Sequence, residues 1–158
     1  MRKENEAGAV CLLDSERTVG DAVPFTADWS RVRLYRRGCA GVAGQLRRLV
    51  LRASRNRAVA LGNHVFLPDR CEGDLGVLAH ELTHCAQYQA WGPLTYFARG
   101  VVAQVRDLVH RRLRLGSSPY WYEVEPGKPL SAYGMEQQAQ IVEDRFRSCN
   151  TNQAVPSA

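Results

Sequence analysis

The segment Leu75 to Gln87 constrains this chain more than any other, because it carries His80-Glu81-Leu82-Thr83-His84 inside an apolar run. Asp74 is placed to cap a helix, and Trp91-Gly92-Pro93 is placed to stop it. On a helix, residues four apart share a face, so His80 and His84 can both reach one metal ion. Glu81 stands beside them, where a carboxylate can take a proton from a water that a metal has acidified. The neighbours Val77, Leu78, Ala79, Leu82, Cys85 and Ala86 are apolar or small. They place the histidine pair in a buried helix, an arrangement that is costly unless something coordinates it.

The rest of the chain reads as one α+β domain, mostly helical, with a short sheet packed near the metal-binding helix. Residues 1–10 are expected to be flexible, 11–149 to form the domain and 150–158 to be a disordered tail. A helix is expected over Cys11 to Gly20, and a strand with Val32 and Leu34 facing inward and arginines outward over Arg31 to Arg37. The spacing of Val42, Leu46, Leu49, Val50 and Ala53 predicts a second helix. Two short strands follow, Ala58 to Leu61 and His64 to Leu67, joined by a Gly62-Asn63 turn. An edge strand beside a peptidase helix can pair with an extended substrate. Beyond Pro93, Leu94, Phe97, Val101, Val105, Leu108 and Val109 recur at helical spacing, opposite arginines. That stripe is expected to pack into the core. A last helix runs from Ala132 or Tyr133 to Ser148. His64 is read as a surface or packing residue, and His110 as exposed.

Cysteine usage and charge narrow the function classes. Five cysteines, odd in number and with no Cys-x-x-Cys pair, read as free thiols rather than a disulfide framework. No apolar run suits a leader or a membrane span, so the chain is expected in the cytoplasm as synthesised, with export needing a dedicated secretion system. The net charge is +5, and nine arginines without an acid lie between Arg31 and Arg57. That face could meet an acidic macromolecular partner or be plain solvated surface. No stacking or finger motif accompanies the arginines, which argues against nucleic acid.

Two histidines leave a tetrahedral zinc short of a protein ligand. No third histidine sits at the extended-motif spacing, so a carboxylate on the last helix is the best candidate. Glu136 and Glu143 are two turns apart, about 10 Å, and cannot bind the same ion. Glu136 is preferred, because small Ala139 one turn on lets the two helices approach closely. Glu143 is then a surface or supporting carboxylate.

With this set the chain resembles the zincin metallopeptidases that use His-Glu-x-x-His and a later glutamate. More closely, it resembles a bacterial family of small zincin-like domains, called Vgr-related or injection-system core domains. The resemblance runs through Thr18-Val19-Gly20-Asp21, Ser30 to Leu34, Ala60 to Leu67, Leu78 to His84 with Gln87, and Glu136 to Asp144. It covers most of residues 12 to 147. It implies a link to type VI or contractile injection systems. The function expected is a zinc-dependent hydrolase acting on a protein or peptide, with His80, His84 and Glu136 holding Zn2+ and Glu81 as general base. Tyr122 or Tyr133 would be the oxyanion donor, unless each is simply a packing aromatic. The alternative is a catalytically silent adaptor of a secretion apparatus. Gln140 departs from the better-understood zincins, in which an acid commonly supports a ligand histidine there.

Overall fold

The computed structural model describes residues 12, 14–113 and 121–153. It contains α1 (Asp14–Asp21), β1 (Arg33–Tyr35), α2 (Gly41–Ala53), β2 (Val59–Leu61), β3 (His64–Phe66), α3 (Leu75–Leu113) and α4 (Met135–Gln153). Single 3-10 turns at Trp29–Arg31, Asp69–Cys71 and Leu130–Ala132 link these elements. The fold is mostly helical with one small sheet, as the residue patterns predict.

The sheet order is β1-β3-β2. β1 runs parallel to β3 with Leu34 opposite Val65, and β2 runs antiparallel to β3 with Ala60 opposite Val65. Gly62 makes the β2–β3 turn at φ 65°, and a Cβ there would lie 3.1 Å from the Tyr88 ring. Both a left-handed backbone and a tight approach to α3 therefore favour glycine.

Both faces of the sheet are covered. Val32, Leu34, Ala60 and Val65 join Leu78, Ala79, Leu82 and Ala86 of α3 in the main core. On the other face, Tyr35 and Phe66 stack with ring centroids 4.4 Å apart and pack under Ala43 and Leu51 of α2. The one-sided strand expected at Arg31 to Arg37 is thus corrected, since Tyr35 is buried where the alternation puts polar residues.

The Arg31–Arg57 stretch does not form one basic face either. Arg36 donates from Nη2 to both carboxylate oxygens of Glu16, at 2.7 and 2.8 Å. The Arg33 guanidinium donates to the carbonyls of Ser30 and Val32. Arg47 donates to the Leu67 carbonyl and to Asp69, tying α2 to the end of β3. Several of these arginines are structural.

α3 begins as expected, with the Asp74 carboxylate accepting from the Val77 backbone N–H at 3.0 Å. Gly92, at φ 75° and ψ 165°, breaks the helix. Pro93 then restarts it at once, in a first-turn place that suits a residue lacking an N–H. The second half corrects a sequence expectation. Leu94, Val101, Val105 and Leu108 are 88%, 62%, 54% and 57% exposed, so the apolar stripe faces away from the body. Tyr96 is buried, and Gly100, Ala103, Asp107 and His110 are the partly covered residues after it. Tyr96 anchors it, its buried hydroxyl donating to the Ala60 carbonyl at 2.9 Å.

α4 lies antiparallel along the first half of α3, as a ladder of contacts shows: Asp74 with Arg147, His80 with Glu143, His84 with Glu136, and Gln87 with the Met135 carbonyl. Fully buried Ala139 sits within that interface. α4 starts at Met135, two residues after Tyr133, and continues to Gln153, so residues 150–153 are helical rather than tail. The expected flexible segment 1–10 and residues 154–158 lie outside the described residues. Of the helix expected over Cys11 to Gly20, α1 covers Asp14–Asp21, and Cys11 and Leu13 lie outside the described residues. Cys71, Cys85 and Cys149 are free thiols. Among the described residues, no helix is long and apolar enough to cross a membrane.

Candidate metal centre

His80, His84 and Glu136 converge where α3 faces α4, each offering one ligand atom within 4.8 Å of the others. Glu136 Oε2 stands 3.5 Å from His84 Nε2 and 3.9 Å from His80 Nε2. The imidazole centroids are 5.0 Å apart at 73°. The Nε2 atoms of both rings thus turn toward the same carboxylate oxygen, leaving Nδ1 to supporting groups. The set fits a divalent ion of borderline softness, two nitrogens and one oxygen being an ordinary donor set for zinc.

Each imidazole is backed from behind. His84 Nδ1 is 2.9 Å from Gln87 Oε1, and Gln87 Nε2 donates to the Met135 carbonyl and to Gln138 Oε1. Gln138 donates in turn to the Tyr133 carbonyl at 2.7 Å. With its amide oxygen as acceptor, Gln87 holds the proton on Nδ1 and leaves Nε2 free to ligate. His80 Nδ1 stands 3.2 Å from Glu143 Oε2, at ion-pair distance but without hydrogen-bond alignment. The residue behind His80 is therefore Glu143, while Gln140 bonds Asp144 at 3.1 Å. Gln87 is the supporting residue that sequence reasoning missed. Its place three residues after His84, on the same helix face, was the available signal.

The electrostatics follow from burial and crowding. Glu81 is 5% exposed, and its Oε2 has no hydrogen-bond partner among the described residues. Burial raises its pKa, against the opposing pull of His80 and His84. Burial would lower the His84 pKa, but the Glu136 carboxylate beside it prevails and raises it to about 9. Burial alone would raise Glu136, yet His84, His80 and then Arg57 hold it below the usual range. Without a metal, His84 and Glu136 therefore behave as an ion pair across the position a cation would take.

The hydroxyls of the two tyrosines expected near the reaction are engaged with other groups. The Tyr122 hydroxyl donates to Asp144 at 2.5 Å. The Tyr133 hydroxyl accepts from the Glu125 backbone N–H at 2.9 Å and donates to the Glu123 carbonyl at 3.2 Å. As placed, both brace the segment between residues 121 and 134, and an oxyanion role would require each to give up these partners. His64 lies on β3, with Nδ1 3.1 Å from the Tyr35 hydroxyl. Cys85 is fully buried, and burial holds its thiol protonated.

Comparison with known families bears on this arrangement. Residues 22–92 match the model of the eCIS core domain, a domain related to contractile injection systems. The match is just under half of the chain, contains His80, Glu81, His84 and Gln87, and ends at the Gly92 break. α4, with Glu136 and Glu143, lies beyond it. Neither a curated protein nor a solved structure matches the chain.

Proposed function

We propose that the protein is a zinc-dependent hydrolase, most simply a metallopeptidase, working within or delivered by a contractile injection system. The observation that carries this reading is the buried Glu81 carboxylate beside three convergent ligand atoms. Metal retention needs His80, His84 and Glu136, but it does not need a desolvated acid next to them. An inert adaptor would have no use for Glu81, and a single polar or apolar residue there would cost the fold less.

When bound, zinc supplies a Lewis acid that polarises a carbonyl and lowers the pKa of water toward neutrality. The chain's residues do the rest. Glu81 accepts a proton from the attacking water as its oxygen bonds to the carbonyl carbon. It returns that proton to the amine nitrogen as the C–N bond breaks. Gln87 and Glu143 keep the two imidazoles oriented, so that the ligand atoms stay in place through turnover. β2 is an edge strand beside α3, and an extended peptide could add to it through backbone hydrogen bonds. The Tyr96 hydroxyl already takes the Ala60 carbonyl there.

The test is to incubate a bacterial proteome with the protein and map new N-termini. The reading expects cleavages that vanish on chelation and return with zinc. A protein shown to carry zinc that yields no new termini from native or unfolded proteomes would sink the peptidase assignment.

A smaller effect tests the scaffold. Gln87→Ala removes the acceptor that orients His84, and losing such a support typically costs about 10–100-fold in metal affinity. Competition for zinc against a chromophoric chelator should show that weakening. Unchanged affinity would mean that His84 is held by packing alone.

A further inference from the structure

A second charged feature lies on the opposite side of the sheet from α3. An open cleft of about 600 Å³ is lined by Arg47, Arg48, Arg52 and Arg55 of α2 and its end, and by Asp69 and Arg70 of the turn after β3. Five arginines and one aspartate give a formal charge of +4 (5 − 1). Asp69 is 2.6 Å from Arg47 Nη2, so its charge is already matched. Arg47, with a side chain 14% exposed, also donates twice to the Leu67 carbonyl and forms a rigid floor. Arg48, Arg52, Arg55 and Arg70 are exposed. Among the described residues, no hydrogen bond or ion pair holds the guanidinium of any of these four.

The backbone at the mouth of the cleft adds an independent observation. α2 ends in two consecutive left-handed residues, Arg55 at φ 56° and Asn56 at φ 59°. The Asn56 N–H bonds the Leu51 carbonyl at 2.6 Å, and the Arg55 N–H bonds the Arg52 carbonyl at 3.3 Å. This is the helix-ending pattern in which the first left-handed residue is usually glycine, because a Cβ there crowds the backbone. Arg55 thus occupies a place where the fold alone favours glycine. Helix-dipole stabilisation accounts for a cation or two in the last turn of α2. It does not account for Arg48 a turn earlier, for Arg70 on another segment, or for the like-charge repulsion between Arg48 and Arg52 four residues apart.

We propose that this cleft is a binding site for a compact polyphosphate anion, gripped by Arg48, Arg52, Arg55 and Arg70 above the Arg47 floor. Guanidinium forks match phosphate oxygens in pairs, and the cleft volume lies in the range of small-molecule sites. One carboxylate would leave most of the charge unmatched, whereas two phosphate groups bring about three to four negative charges at neutral pH. Leu51 is the sole apolar liner and no aromatic ring lines the cleft, so nothing is provided for stacking bases. A free polyphosphate and the phosphate chain of a nucleotide share this chemistry.

Calorimetric titration of the full chain with inorganic tripolyphosphate, in parallel with ATP and with monophosphate, tests the site. One saturable site that takes tripolyphosphate at least about tenfold more tightly than monophosphate is expected. ATP binding equally well assigns the phosphate chain as the recognised part, and ATP binding much more tightly points to a nucleotide. The decisive variant is Arg55→Gly, which should move two readouts in opposite directions. Without ligand its Tm should rise by about 2–4 °C, since the left-handed position is relieved. Its tripolyphosphate affinity should fall about tenfold or more. Arg52→Ala should lose affinity without the gain in Tm, and Arg31→Ala, outside the cleft, should bind as wild type. Absence of saturable binding, equal losses in Arg31→Ala, or undiminished binding in both cleft variants would overturn the proposal. So would a DNA duplex or an acidic protein that binds more tightly than tripolyphosphate and is lost with the same variants.

Discussion

Glu81→Gln is expected to lower turnover by about 10²–10⁴-fold, the usual worth of general acid–base catalysis, while leaving zinc content intact. Glutamine keeps the shape and reach of the side chain but cannot accept and return a proton at neutral pH. Its effect on stability has a definite sign. Burial raises the Glu81 pKa above its ordinary value, so ionisation is disfavoured in the folded state. The carboxylate therefore costs stability as pH rises past its unfolded pKa, and the neutral amide removes that cost. Thermal melts of the metal-free proteins at pH 7.5 should show the variant at least as stable as wild type. A fully zinc-loaded, folded Glu81→Gln protein that cleaves at the wild-type rate would remove the catalytic role.

His84→Ala is expected to act in the opposite way, through metal rather than chemistry. His84 sits in the interface between α3 and α4, and its loss leaves His80 and Glu136 as a two-ligand remnant. A ligand present at 1,000 times its Kd stabilises the folded state by about 4 kcal/mol. For a chain of this size that corresponds to a Tm difference of roughly 8–16 °C. Chelating wild-type protein should produce a comparable fall, whereas chelation of His84→Ala should produce almost none. A wild-type melt indifferent to chelator would show that these three side chains form only an ion-pair cluster.

The convergence of His80 and His84 was legible in the sequence because helical geometry alone fixes where residues four apart point. Asp74, Gly92 and Pro93 were legible for a similar reason, each acting through its own local backbone chemistry. The placing of Glu136 beside His84 Nε2 needed a second helix, and small Ala139 was the only local hint of how closely it would pack. Glu143 and Gln140 were harder to separate, because one helical turn decides which side chain backs His80 and the register of two helices is not written in either one. Tyr122 and Tyr133 were close to Glu136 in sequence, but sequence distance says nothing of hydroxyl direction. The stripe from Leu94 to Val109 shows a different limit. Periodicity identifies residues that share a face without saying whether that face meets the body, and here Tyr96 makes the approach instead. Tyr35 was missed because its neighbours Arg33 and Arg37 imitate the polar side of a half-buried strand, although α2 covers that side.

The account rests on a metal held between α3 and α4, and X-ray absorption at the zinc edge on purified protein measures it most directly. One zinc per chain is expected, with a first shell of two imidazole nitrogens and carboxylate or water oxygen at about 2.0–2.2 Å and no sulfur. The signal should be lost in His80→Ala and His84→Ala and kept in Glu81→Gln. Zinc absent from wild type under zinc-replete conditions, a shell containing sulfur, or metal persisting in both histidine variants would contradict it.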